Sequence, residues 1–290
     1  MKTTTPPKTR LLESALVHAL LVVAVVYALY PVLWVIALAV SKTGAAEARV
    51  LPLPQGLSEV TLDNFRLVMG GSDPARTWLF WRQVANSLVV SGATAFTAVA
   101  IATPTAYALA RFDFVGKRTG IRAMLLTQMF PGVASAVPLY LILDVLGLLD
   151  TASGLVLVYA ATAVPFAIFQ LKGAFMAIPV DLEEAAMVDG ATRVQAFLRV
   201  ALPAARPAIA VTSLFAFMSA WNEFILAATL IGRESAFTLP VVLQSYVGEY
   251  STNWGAFAAG AVLVSVPVMA LFYVAQRQLL SGLTAGGVKG

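Results

Sequence analysis

The sequence predicts an all-α integral membrane protein with six transmembrane helices and both termini on the cytoplasmic side. Three observations carry this. First, 59% of the 290 residues are hydrophobic and only 12% are charged, about half the charge of a soluble domain. Second, six runs nearly free of Asp, Glu, Lys and Arg are each long enough to cross a bilayer. Third, an even number of spans puts both ends on one face, and Lys and Arg number thirteen on that face against six on the other. Basic loops stay inside, so the bias fixes the orientation.

The elements follow in order. Residues 1–13 are polar and basic, a cytoplasmic N-terminus. Residues 14–41 form the first span, with Pro31 as a possible kink site. The run is much longer than the core of a cleaved signal peptide, so it reads as an uncleaved helix. Residues 42–82 make a mixed-charge extracytoplasmic loop with Pro52, Pro54, Gly56, Gly70 and Gly71. A core of five spans fills 83–276: residues 83–110, 123–143, 151–171, 207–231 and 255–276. Pro131-Gly132 predicts a break in the third span of the chain. A cytoplasmic loop occupies 181–206, and 277–290 is a cytoplasmic tail. No internal repeat is visible.

Composition excludes several chemistries. There is no cysteine and one histidine, so disulfides, thiol catalysis and ordinary zinc sites are excluded. No Gly-Lys-Ser/Thr phosphate loop is present, and no Ser–His pairing or plausible carboxylate pair. The chain does not read as an enzyme on its own. The net charge of +4 is spread over short loops, which argues against nucleic-acid binding.

The longest polar interruption of the second half, residues 183–203, reads as a helix–turn–helix. Asp181, Glu183 and Glu184 suit the positive end of a helix, and Pro179 marks its start. Gly190 supplies a positive-φ stop. Val194, Phe197, Leu198 and Ala201 recur at helical spacing in the second helix, giving it one apolar face. Pro203 and Pro207 close the element.

The order Glu184-Ala185-Ala186, Gly190, Val200, Leu202-Pro203 resembles the EAA loop of ABC-importer permeases, with Val200 where that pattern has Ile. In that family the loop is the coupling helix that docks into a cleft on an ATPase subunit. The resemblance extends to Ala108-Leu109-Ala110-Arg111-Phe112, Gln128-Met129-Phe130-Pro131 and Trp221-Asn222-Glu223-Phe224. It ends on a C-terminus, residues 282–290, like that of the smaller permease subunit of maltose importers, and covers most of residues 80–290. It implies the type I ABC importer permease fold. It also implies coupling residues Glu183, Glu184, Ala185, Ala186, Asp189, Gly190, Leu202 and Pro203, and a tail, with Gly286, Gly287 and Lys289, that contacts the ATPase.

Other residues carry two open readings each. Gln128, Asn222 and Glu223 face either the translocation path and permease interface, or simply tie helices together. The segment with Tyr246, Tyr250, Asn253 and Trp254 is aromatic enough to touch a docked binding protein or to anchor at the interface.

The resulting expectation is the permease subunit of an ATP-driven sugar importer, for maltose or maltodextrin, multi-pass in a bacterial inner membrane. The expected partners are a second permease of six or more spans, a dimer of ABC ATPases, an extracytoplasmic sugar-binding protein and membrane lipid. No cofactor is expected on this chain; ATP and Mg belong to the ATPase. The alternatives are a permease for another sugar (trehalose, glycerol phosphate) or an ion-coupled secondary carrier. The latter needs paired buried ionisable groups, and Glu223 stands alone in the fifth span.

Overall fold

A computed structural model describes residues 7–42, 56–130, 132–248 and 252–287. Among these the architecture is helical, with two isolated antiparallel bridges, Ser41 to Val60 and Val247 to Thr252. Two compact units are present, one of Met1–Thr77 with Leu243–Val264, the other of Trp78–Val242 with Ser265–Gly290.

In the first unit, α1 (Pro7–Ala39) carries no charged residue after Glu13, and its most apolar 18-residue stretch is unburied. Its C-terminal end is tied down: the buried Asn64 amide of α2 (Asp63–Val68) donates to the carbonyls of Ala39 and Ser41, both at 2.9 Å. Carbonyls at the end of a helix have no intrahelical N–H partner, and the amide supplies donors to them.

The second unit is built on α3 (Pro74–Arg111). Ser91, Thr94, Ala95, Ala98, Ala102 and Ala106 make a buried stripe of small side chains along it. Small residues let helix backbones approach closely in a membrane bundle, where lipid supplies no hydrophobic drive for association. Against the stripe lie α6 (Ala152–Ala177) and α10 (Arg206–Trp221).

Two of the expected spans are not single helices. Over 123–143 the chain forms α4 (Lys117–Met129), a break, and α5 (Ala136–Val145). Phe130 is extended at φ −78° and ψ 128°, the conformation a following proline imposes. Over 207–231, α10 stops at Trp221 and α11 (Ile225–Leu230) begins after three residues. Among the described residues four helices are long and apolar enough to cross a membrane: Glu13–Ala39, Pro74–Arg111, Ala152–Ala177 and Trp254–Gln276. A fifth candidate is the bent pair Arg193–Ala204 and Arg206–Trp221.

The loop after α11 is held by side chains of α3. Gln83 donates to the Glu234 carbonyl at 3.0 Å, and Asn86 to those of Ser235 and Phe237 at 3.0 and 3.1 Å. Ser87 Oγ accepts from the Leu239 N–H at the start of α12 (Leu239–Gln244), at 2.7 Å. Asp150, in the turn before α6, sits at φ 58°. Its Oδ1 accepts from the N–H groups of Gly232 and Arg233 at 2.6 and 2.9 Å. The last helix, α13 (Trp254–Gly287), continues through most of residues 277–290, the stretch expected as a C-terminal tail.

Candidate functional site

The hairpin at 181–204 consists of α7 (Asp181–Val188), a turn, and α8 (Arg193–Ala196), which runs through a π-helical turn, Phe197–Ala201, into the short α9 (Leu202–Ala204). Asp181, Glu183 and Glu184 occupy the first turn of α7. Gly190 has φ 93°, a left-handed conformation that stops α7. Thr192 caps α8: its hydroxyl accepts from the Gln195 N–H at 3.3 Å, and Gln195 Oε1 accepts from the Thr192 N–H at 2.8 Å.

The two adjacent glutamates part company. Glu184 is exposed, but Glu183 is buried, with 4% of its surface accessible. Arg111, the last residue of α3, donates from Nε to Glu183 Oε1 at 2.8 Å, and its Nη2 lies 2.7 Å from the same oxygen in an ion pair. The Tyr107 hydroxyl donates to Oε2 at 2.6 Å. Arg111 Nη2 also donates to the Ile178 carbonyl at 2.9 Å, at the end of α6. The other ion pairs among the described residues each have a partner open to solvent. Around this pair lies an aromatic cluster: the Tyr107 ring is 4.5 Å from that of Phe197 and 5.5 Å from that of Phe175.

The apolar face expected on the second helix is divided. Ala196 and Ala201 are buried and Phe197 partly so, while Val194 and Leu198 are 66% and 52% exposed. The buried side carries small residues: Ala201, and Ala205 just beyond the hairpin, belong to one core cluster with Ala102, Ala106, Ile168 and Leu171. Val194 and Leu198, with Val188 at 87% exposure, leave the hairpin with an apolar outer surface beside Glu184 and Asp189. Ala185 and Asp189 are exposed, Ala186 is half-buried, and so are Leu202 and Pro203 at the far end of the hairpin.

The structure gives Glu223 interhelical work. Its Oε2 accepts from the Tyr159 hydroxyl at 2.8 Å and from the Ala227 N–H at 3.0 Å, and Oε1 accepts from the Leu226 N–H at 2.9 Å. The carboxylate thus satisfies donors that the break before α11 sets free, at a helix end that favours negative charge. Asn222 is exposed and donates to the Met218 carbonyl at 2.9 Å. Gln128 lies apart, on a cleft of about 270 Å³ lined also by Thr162, Phe166, Thr212, Phe215 and Ser219.

In the first unit, Tyr246 is half-buried, and that burial raises its phenol above the ordinary value. Asn253 Oδ1 accepts from the Ala256 N–H at 3.0 Å at the start of α13, and Trp254 is partly exposed. Tyr250 and Lys289 lie outside the described residues; Gly286 and Gly287 end α13.

Residues 98–284 match the family described as binding-protein-dependent transport system inner membrane component. The chain belongs to that family. The matched region holds the hairpin, its Arg111 anchor and the Glu223 tie, so the family's segment coincides with the geometry above. The permease is 38% identical over 267 residues to the trehalose transport system permease protein SugB of Mycobacterium tuberculosis, covering 91% of this chain and 93% of that one. It is 35% identical over 302 residues to the maltose/maltodextrin transport system permease protein MalG of Escherichia coli, covering 98% of each chain. Among solved structures, a chain of a bacterial ABC transporter involved in the import of the acidic polysaccharide alginate superposes with a TM-score of 0.75 at 26% identity. That superposition covers 95% of this chain and 99% of the other. The fold is that of type I ABC importer permeases, and the protein is a multi-pass permease subunit of an ABC importer.

Sequence reasoning missed the partners of Glu183. The signal was present: Arg111 and Tyr107 lie four residues apart on α3, on one helical face. What the sequence lacked was any local link between residues 107–111 and 183.

Proposed function

We propose that the permease imports a glucose-based oligosaccharide of the maltose and maltodextrin class, driven by ATP hydrolysed on partner subunits. The observation that carries this is similarity to a maltose/maltodextrin permease along 98% of both chains. Trehalose is the second reading, favoured by the 38% identity to a trehalose permease. Both are neutral glucosides, and Gln128, Thr162 and Ser219 on the cleft offer an amide and hydroxyls for sugar hydroxyls, beside the rings of Phe166 and Phe215.

The proposed assembly is this chain, a second permease, two ABC ATPases and an extracytoplasmic sugar-binding protein, in a bacterial inner membrane. Both termini and the hairpin face the cytoplasm, as the Lys and Arg bias supports. Closure of the ATPases around ATP and Mg presses on the outer surface of the hairpin, where Glu184, Val188 and Asp189 are exposed. The bundle then alternates between inward- and outward-open states. The Tyr246–Trp254 region and the C-terminus supply further contacts, to the binding protein and the ATPases respectively. α1, with its unburied apolar surface, faces lipid.

The test is co-purification of the tagged chain with an ATPase and a second permease, followed by uptake of maltose, maltotriose and trehalose into proteoliposomes. Uptake that persists with an ATPase-dead partner would overturn the reading. Uptake of none of the three would overturn the substrate class alone.

A further inference from the structure

The hairpin has three connections to the rest of the second unit, and they differ in stiffness. Towards α6 it is joined by the short stretch Ile178–Val180, whose first carbonyl Arg111 holds at 2.9 Å. Towards α3 it is joined by the buried Arg111–Glu183 pair, the Tyr107 hydroxyl and the contact of the Phe197 ring with that of Tyr107. Towards α10 it runs on through the π-helical turn Phe197–Ala201 and a bend of 71° between Arg193–Ala204 and Arg206–Trp221, held by backbone bonds from the N–H groups of Ala205 and Ile209 to the carbonyls of Ala201 and Ala205, both at 2.9 Å. A π-turn and a sharp bend interrupt the regular α-helical geometry, so this joint lacks the straight, uniform ladder of an unbroken helix. A guanidinium that forks between a carboxylate and a carbonyl is a directional, rigid one.

We propose that Arg111 is the positioning residue that locks α7 to the ends of α3 and α6, so that these three move as one body while the joint to α10 flexes. This proposal rests on the reading that the ATPases push on the hairpin. Arg111 Nε and the Tyr107 hydroxyl converge on one carboxylate from a single helix end, and the same guanidinium reaches the cap of a second helix. Buried charge of this kind contributes little to stability by comparison with an apolar replacement. It does impose one relative orientation, because any other leaves a carboxylate unpaired in a dry site.

The chain contains no cysteine, so two introduced cysteines report without background. Spin labels at Phe96 on α3 and Val188 on α7, both well exposed, measure the spacing by pulsed electron resonance on the full chain in nanodiscs. Glu183→Ala is expected to at least double the width of the distance distribution. In the reconstituted complex, without labels, the same variant is expected to retain the ATPase but lose at least fivefold in maltose taken up per ATP hydrolysed. An unchanged width overturns the proposal, and so does a broadened width with unchanged uptake per ATP. Should Glu183→Ala fail to fold, Glu183→Gln carries the same comparison, because it keeps the side chain's shape and removes its charge. The spin-label measurement needs no partner protein, so it decides the lock even if no ATPase binds and the importer reading fails.

Discussion

The Tyr159 hydroxyl donates to Glu223 across 2.8 Å, from α6 to the three-residue gap between α10 and α11. Two backbone N–H groups of α11 fill the rest of the same carboxylate. The acid is therefore a structural bracket that holds a broken helix to its neighbour. Replacing it by an amide turns one oxygen into a two-donor nitrogen and sets it against a backbone donor, the N–H of Leu226 or of Ala227. Glu223→Gln is expected to cost about 1–3 kcal/mol, read as a lower thermal unfolding midpoint in detergent. Tyr159→Phe removes one donor only and should cost less.

Breaking the Arg111–Glu183 pair from one side strands a buried charge. Arg111→Ala is expected to destabilise by about 3–5 kcal/mol. The double variant with Glu183→Ala should be less damaging than the sum, because neither charge is then left alone. Chemical denaturation of all three variants checks the cycle.

Gly190 sits at φ 93° with open space around an added Cβ, so its constraint is conformational. Gly190→Ala should cost about 1–2 kcal/mol in the backbone and leave the bundle intact. Gly190→Asp adds a charge to the exposed turn. It is expected to leave insertion unchanged while abolishing uptake, measured beside ATPase co-purification.

Val188 is 87% exposed, so Val188→Asp should shift stability by no more than about 0.5 kcal/mol. The same change puts a charge on the apolar outer face of the hairpin. Loss of ATPase co-purification at unchanged thermal stability is the expected outcome.

Hydrogen bonds from the Arg233 and Gly232 N–H groups hold the Asp150 carboxyl below its ordinary value of 3.8. A depressed folded value means that the contribution is complete above the unfolded value and fades as pH falls through the folded one. Thermal stability should therefore be flat with respect to this group above about pH 5 and decline below about pH 4. Asp150→Asn, which tolerates the same positive φ, should flatten that decline.

How far the sequence could be read follows from what is local. α7, its acidic first turn and its glycine stop were legible because propensity, charge and φ requirements all act within a few residues. The break after Met129 was legible because proline constrains its immediate predecessor. The break at 222–224 was not: it depends on Tyr159, 64 residues away, completing a carboxylate that caps α11. The exposure of Val194 and Leu198 was also hidden. Helical spacing identified their face, but the side of the second helix that meets the core is the one carrying Phe197 and Ala201, which share a cluster with Ala102 and Ala106 of α3. At the candidate site the sequence marked the hairpin but not its anchor, since Arg111 and Glu183 are 72 residues apart.

The 71° elbow beside Ala205 turns a modest tilt into a long throw. α10 has 16 residues, so its far tip lies ~24 Å from the pivot at 1.5 Å per residue. A swing of ~10° would carry that tip ~4 Å, comparable to the width of a sugar ring, by the same rise per residue.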